Sequence, residues 1–190
     1  MLPHQIQGSK AWLEFRKSKV TASEAPIIMR ESPWCTPLEL WEQKIGLVQP
    51  TERNWAMQRG IDMEPTARYC FEQETGILVS PAVIEHPNIH YMIASLDGMS
   101  EDKCTIVEIK CAGKKDHATA VSGEIPKKYY AQLQHQMEVA QLDMTYYYSF
   151  DGKTGVVLEC IKNVAYVEKM LAKEFKFWQH IQFMTIPEDA

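Results

Sequence analysis

The spacing of apolar positions changes partway along the chain. Up to Thr75 it is helical. Ser9 caps a first helix, KAWLEFRK, with Trp12 and Phe15 in step on one apolar face. VTASEAPIIM follows, with Ser23 as the expected cap of a second, short helix and Pro26 in its first turn. SPWCTP reads as a loop. Thr36 and Pro37 open a third helix, PLELWEQKI, which Gly46 ends. VQPTERN is a short linker. Asn54 to Thr75 is helical but interrupted at Gly60 and Pro65, so it predicts two short helices or one kinked helix, stopped by Gly76.

Beyond Gly76 the period shortens. ILVSPAVIEH, HYMIASLDG and CTIVEIKCA read as strands, separated by His86-Pro87-Asn88 and by Met99-Ser100-Glu101-Asp102. KKDHATAVSGEIP is a polar loop with room for a short helix, and Pro126 opens a long one through PKKYYAQLQHQMEVAQLD. Two more strands, MTYYYSF and TGVVLECIK, are joined by the hairpin signal Asp151-Gly152-Lys153. A terminal helix runs from about Val164 to Phe183. This order predicts an α/β or α+β fold, with a mixed sheet of about five strands flanked by helices. The 190 residues, without repeats or low-complexity tracts, are read as one domain.

Composition narrows the compartment and the chemistry. Hydrophobic residues at 45% and charged residues at 24% are ordinary for a globular protein. No apolar run reaches the roughly 20 residues of a membrane span, and MLPHQIQGSK lacks the apolar core of a signal peptide. A cytoplasmic location is expected. The cysteines Cys35, Cys70, Cys104, Cys111 and Cys160 stand singly with no CxxC pair, which argues against a zinc ribbon. A net charge of -5 argues against a broad basic surface for nucleic acid. It leaves room for a nucleic-acid enzyme, because metal-binding carboxylates make a site acidic before the ion arrives.

ASLDGMSEDKCTIVEIKCA places charge where a core margin is expected. Side chains alternate along a strand, so Ile106, Glu108 and Lys110 share one face and Thr105, Val107 and Ile109 the other. A short turn joins this strand to HYMIASLDG, which predicts antiparallel pairing with Asp97 opposite Glu108. Two facing carboxylates repel unless a cation lies between them, and oxygen ligands suit Mg²⁺ or Mn²⁺. Such an ion activates water and polarises a phosphoryl oxygen, and a nearby lysine can stabilise the charge that develops. A solvent-exposed strand pair with a Glu–Lys ion pair would read the same from TIVEIK alone.

The surroundings add a resemblance. Asp97 followed by Glu108-Ile109-Lys110 matches the D-(x)n-ExK core of the PD-(D/E)xK nuclease superfamily. WLEFRKSKVTASE, TPLELWEQKIG, RGIDMEPTARYCFEQETG, ASLDG, VEIKCA and YYAQLQHQM, in that order, resemble the lambda-type phage recombination exonucleases over roughly residues 12–156. The resemblance implies a restriction-endonuclease-like core. It also implies Mg²⁺ held by Asp97, Glu108 and the Ile109 carbonyl, with Glu64 joining directly or through water, and Lys110 supporting the attacking water. Gln134 would face the site beside that lysine; Gln132 is the competing choice, with the less favourable facing. Arg16, Ser23 and Ser95 would hold the terminal phosphate. The chain departs from the family pattern after the ExK strand, where Lys114, Lys115 and His117 compete for the place of one further basic residue.

The activity implied is 5′-to-3′ digestion of one strand at a double-stranded DNA end, in phage-type recombination. A homotrimeric ring and a single-strand annealing protein as partner are implied with it. A structure-specific or restriction-like endonuclease, or a catalytically inactive DNA-binding protein, remains open on the same core. An iron–sulfur nuclease is disfavoured by the absence of a cysteine cluster after Cys160. His86, His90, His117 and His135 have no ligand spacing, and Tyr146-Tyr147-Tyr148 reads as strand packing. Trp34 is open between core packing and contact with bases. Lys127 and Lys128, with Lys114 and Lys115, are candidates to line a DNA track.

Overall fold

A computed structural model describes residues 9–49, 54–111 and 113–187. Residues 1–8, most of MLPHQIQGSK, and most of the 48–54 linker therefore lie outside the described residues. The chain begins with α1 (Lys10–Lys17), capped by Ser9, whose Oγ accepts from Trp12 N. A two-residue strand β1 (Val20–Thr21), a 3₁₀ turn (Ala22–Glu24) and α2 (Ala25–Ile28) follow. Here the structure corrects the expected cap. Thr21, not Ser23, opens the turn, and its N–H donates to Glu24 Oε2 at 3.0 Å.

α3 (Pro37–Lys44) is capped by Thr36 as expected. α4 (Trp55–Thr75) is one continuous helix through Pro65 rather than two. A mid-helix proline costs about 3 kcal/mol. Burial of Ala67 and Phe71 against Tyr148 and Val107 opposes that cost. Gly76, at φ 73°, ends the helix in the left-handed conformation that glycine tolerates.

The remaining elements are β2 (Ser80–Glu85), β3 (Met92–Met99), β4 (Ile106–Lys110), α5 (Lys114–Val121), α6 (Lys127–Ala140), β5 (Met144–Phe150), β6 (Gly155–Ile161) and α7 (Val164–Phe183). The strands form one mixed sheet ordered β1-β3-β4-β5-β6, with β2 also on β3. β1 is a sixth strand beyond the five expected, and its two residues are too few to carry a period.

β3 is the hub. β2 pairs along it from Ile93 to Met99. Its other edge is divided: β1 takes the start, parallel, with Thr21 opposite Ile93, and β4 takes the end, antiparallel, with Gly98 opposite Val107. Ser95 and Asp97 lie between these two short partners. Alternation separates the two cores as expected. Ile106 packs with Leu133, Met137 and Tyr147, whereas Val107 and Ile109 pack with Phe71 and Tyr148. Among the described residues, no helix is long and apolar enough to cross a membrane.

Candidate active site

The β3–β4 register places Asp97 opposite Glu108, one step from the Gly98–Val107 pair. Asp97 Oδ2 accepts from Ile109 N at 2.8 Å. Glu108 is 2% exposed and fully engaged. Its Oε1 accepts from Gln132 Nε2 at 2.7 Å and lies 2.6 Å from Lys110 Nζ, and its Oε2 accepts from Gln136 Nε2. Lys110 thus shares the Glu108 face, as strand alternation required.

Glu64 reaches the same place from the middle of α4. Arg68, one turn on, pairs with the Glu64 carboxylate and donates from Nε to the Asp97 carbonyl at 2.8 Å. Glu64 lies inside the continuous helix and not at its start.

Electrostatics mark the centre of the site. Asp97 is held well above the usual carboxylate range by desolvation, then by the neighbouring charge of Glu108, with a further push from Glu64. Lys110 pulls the other way without prevailing. Lys110 itself is raised: burial opposes its charge, but Glu108 and Asp97 outweigh that.

Oxygen-only donors crowded until one carboxyl resists ionisation are the chemistry that a hard divalent cation relieves. Asp97, Glu108 and Glu64 therefore fit Mg²⁺ or Mn²⁺ by donor type. Among the described residues they do not form a closed ligand cage. Lys110, Arg68 and the two glutamines occupy their oxygens instead.

Gln134 is a correction. It is fully buried on the far side of α6, donating to Ile161 O at 3.0 Å and accepting from Asn163 N at 2.8 Å. It joins β6 to α7 and does not touch the carboxylates. Gln132, the competing choice, is the one in contact. Gln136 was missed, although the signal existed: residues four apart share a helix face, so Gln132 and Gln136 point together, whereas Gln134 points away.

The expected phosphate residues fall into two groups. Arg16 donates to Thr21 Oγ1 at 3.3 Å and to Glu24 Oε1 at 3.1 Å, and Thr21 Oγ1 lies 3.3 Å from Ser23 Oγ. Lys44 locks Glu24 at 2.8 Å and also donates to the Arg16 and Lys19 carbonyls. Burial pushes Glu24 up, but Lys44 and Arg16 overcome it and hold its pKa below the usual value. Ser95 lies on β3 two residues from Asp97, and its hydroxyl is buried with no hydrogen-bond partner among the described residues.

The candidates for a further basic residue separate clearly. His117 is buried against β5, its Nδ1 3.0 Å from Ser149 Oγ, while Lys114 and Lys115 are exposed on α5.

Comparison with known proteins bears on the family of the chain. The YqaJ-like viral recombinase domain model matches residues 11–143, a span that holds every residue named above at the carboxylates. The uncharacterized protein YqaJ of Bacillus subtilis (strain 168) is 28% identical over 173 residues, 88% of this chain and 54% of that protein. The uncharacterized protein R354 of Acanthamoeba polyphaga mimivirus is 24% identical over 156 residues, 28% of that protein. The chain therefore spans about half the length of the first of these relatives and about a quarter of the second.

Among solved structures, the alkaline exonuclease LHK-Exo of Laribacter hongkongensis superposes with a TM-score of 0.80 at 26% identity, over 93% of this chain and 94% of that one. LHK-Exo in complex with dAMP gives 0.79. A phage-related exonuclease of Haemophilus somnus 129PT, 12% identical with a TM-score of 0.59, shares the fold. The resemblance read from the sequence is borne out at the level of the family, and the chain belongs to the YqaJ-like viral recombinase domain family.

Proposed function

We propose that the protein is a divalent-metal-dependent deoxyribonuclease that acts on linear double-stranded DNA from its 5′ ends in recombination. The observation that carries this reading is the meeting of Asp97, Glu108 and Glu64 with Lys110, which leaves Asp97 too crowded to ionise at its usual pKa. Mg²⁺, when bound by Asp97, Glu108 and the Ile109 carbonyl with Glu64 near, supplies a Lewis acid and a water of lowered pKa.

The protein's own groups supply the rest. Gln132 and Gln136 fix the rotamer of Glu108 and hold its carboxylate beside Asp97. Lys110, beside Glu108, is placed to hold the attacking water and to offset charge on the phosphorane-like transition state. Arg16 and Ser23 offer a fork and a hydroxyl for a phosphate. The unpartnered Ser95 hydroxyl offers another donor beside Asp97. The complex of LHK-Exo with dAMP supports a substrate that carries a nucleotide phosphate. A homotrimer around DNA and a single-strand annealing partner belong to the same proposal.

The test is digestion of linear duplex DNA labelled at either end, with Mg²⁺ and with EDTA. Loss of label from 5′ ends only with Mg²⁺ is expected, and Asp97→Ala should abolish it while leaving the circular dichroism spectrum unchanged. Full activity in that variant removes the mechanism. Equal cutting of circular and linear DNA would favour the endonuclease reading. Binding without cleavage in any divalent metal would favour the inactive scaffold.

A further inference from the structure

Trp34 lies outside the chemistry proposed above, and its position near that chemistry calls for a role. It sits between α2 and α3 with 69% of its surface exposed, so the packing reading fails. Its loop is constrained. Pro33 and Pro37 flank it, Trp34 N donates to Ser32 Oγ at 3.2 Å, and Thr36 N donates to Glu39 Oε2 at 2.7 Å.

The ring is also held from one face, where Lys128 Nζ lies 4.7 Å from its centroid. Lys128 is fixed in turn by Asp116 at 2.6 Å, and Asp116 accepts from Tyr129 OH at 3.1 Å. Asp116 neutralises Lys128, which leaves that lysine better suited to orient the ring than to hold a phosphate alone. The chain of contacts continues to the carboxylates: Lys128 Nζ lies 5.1 Å from the Tyr129 ring, and Lys110 Nζ 5.0 Å from the same ring. Three gaps of about one ring-contact distance thus link the catalytic lysine to an open indole.

We propose that Trp34 is a stacking platform for a nucleobase of the DNA strand close to the scissile phosphodiester. The inference rests on the nuclease reading. A ring already oriented by a salt-bridged lysine loses little freedom on binding. Every base offers a π-face, so such a platform suits an enzyme that must accept any terminal sequence.

The test uses the full chain as wild type, Trp34→Ala and Trp34→Phe. Substrates are duplexes with a fluorescent label at the far end and an abasic site moved through the first several nucleotides of the 5′ strand. Binding is read by anisotropy in EDTA, and cleavage is read with Mg²⁺. Trp34→Ala should weaken binding about 5- to 100-fold, the range expected for loss of one base–aromatic stack. Trp34→Phe should recover most of it. One abasic position should cost the wild type a comparable factor and cost Trp34→Ala nothing further.

Equal binding by Trp34→Ala and wild type overturns the inference. So do losses that multiply at every abasic position, because Trp34 would then meet something other than a base. Wild-type binding without Mg²⁺-dependent cleavage would sink the nuclease reading, with the binding arm still judging Trp34. Cleavage that is indifferent to Trp34 would sink the stacking role alone.

Discussion

His135 and Glu174 are both wholly buried, and His135 Nδ1 lies 2.8 Å from Glu174 Oε1. The other ring nitrogen, Nε2, lies 3.1 Å from the Ile93 carbonyl. A carboxylate and a carbonyl can only accept, so both ring nitrogens donate and the ring is an imidazolium. Its pKa is raised: burial opposes the charge, and Glu174 outweighs it, helped by the Ile93 carbonyl and more weakly by Glu24. The ion pair ties α6 and α7 to β3, two residues before Ser95 and four before Asp97.

His135→Leu leaves a buried carboxylate uncompensated, which costs about 3–5 kcal/mol. It also orphans the Ile93 carbonyl. For a chain of this size each kcal/mol moves Tm by about 2–4 °C, so a loss near the middle of that range lowers Tm by about 8–16 °C. The double variant His135→Leu, Glu174→Met removes both charges and should recover much of the loss.

The pH dependence has a definite sign. A histidine raised on folding contributes stability that is fully present below its unfolded value of 6.5 and is lost as pH rises through the folded pKa. Urea unfolding monitored from acid to alkaline pH should therefore show wild type losing its advantage over the double variant as pH rises above 6.5. A His135→Leu protein within about 1 kcal/mol of wild type would refute the imidazolium assignment, as would a double variant less stable than the single.

Other outcomes follow from the same contacts. Gln132→Ala and Gln136→Ala should each lower kcat on duplex DNA by about 10- to 100-fold and also lower Tm, because each leaves the buried Glu108 carboxylate short of a donor, whereas Gln134→Ala should lower Tm and spare kcat; kinetics paired with thermal melts check this. Lys44→Met should destabilise by about 1–3 kcal/mol, because buried Glu24 keeps only Arg16 as a cation and the Lys19 carbonyl loses its lysine donor. Burial pulls Lys44 down in pKa more than Glu24 holds it up, so the pair favours folding mainly through the carboxylate. That contribution is present above pH 4.5 and lost as pH falls through the lowered folded value, and Glu24→Gln should flatten this acid limb in urea titrations. Gly98→Ala should cost about 1–3 kcal/mol, read as a shifted denaturation midpoint, because its methyl would meet Val79 Cγ2 at 2.6 Å and Val107 Cγ1 at 2.7 Å.

Much of this molecule was legible before its structure. Strand alternation alone put Glu108 and Lys110 on one face, and the short turn put Asp97 opposite. These are local relations with a fixed period, and they held. The continuous α4 was not legible, because the penalty at Pro65 is local whereas the burial of Ala67 and Phe71 that opposes it is tertiary. β1 was invisible because two residues have no period. Gln134 was placed at the site by the family resemblance, which does not carry this chain's packing. The buried Glu108 oxygens decide which glutamines turn inward, and those oxygens belong to a strand more than twenty residues away. His135 looked ordinary for the same reason: nothing near it in sequence announces Glu174.

The divided edge of β3 has a kinetic consequence. Asp97 and Glu108 come together in a hairpin of low contact order, which can form while the chain is still being made. The glutamines that set Glu108 arrive only when the parallel crossover from β4 through α5 and α6 to β5 has closed, a slower and non-local step. The carboxylates therefore meet early, but their geometry is completed late. On the proposed nuclease reading, competence to cut is then a property of the finished sheet rather than of the hairpin alone.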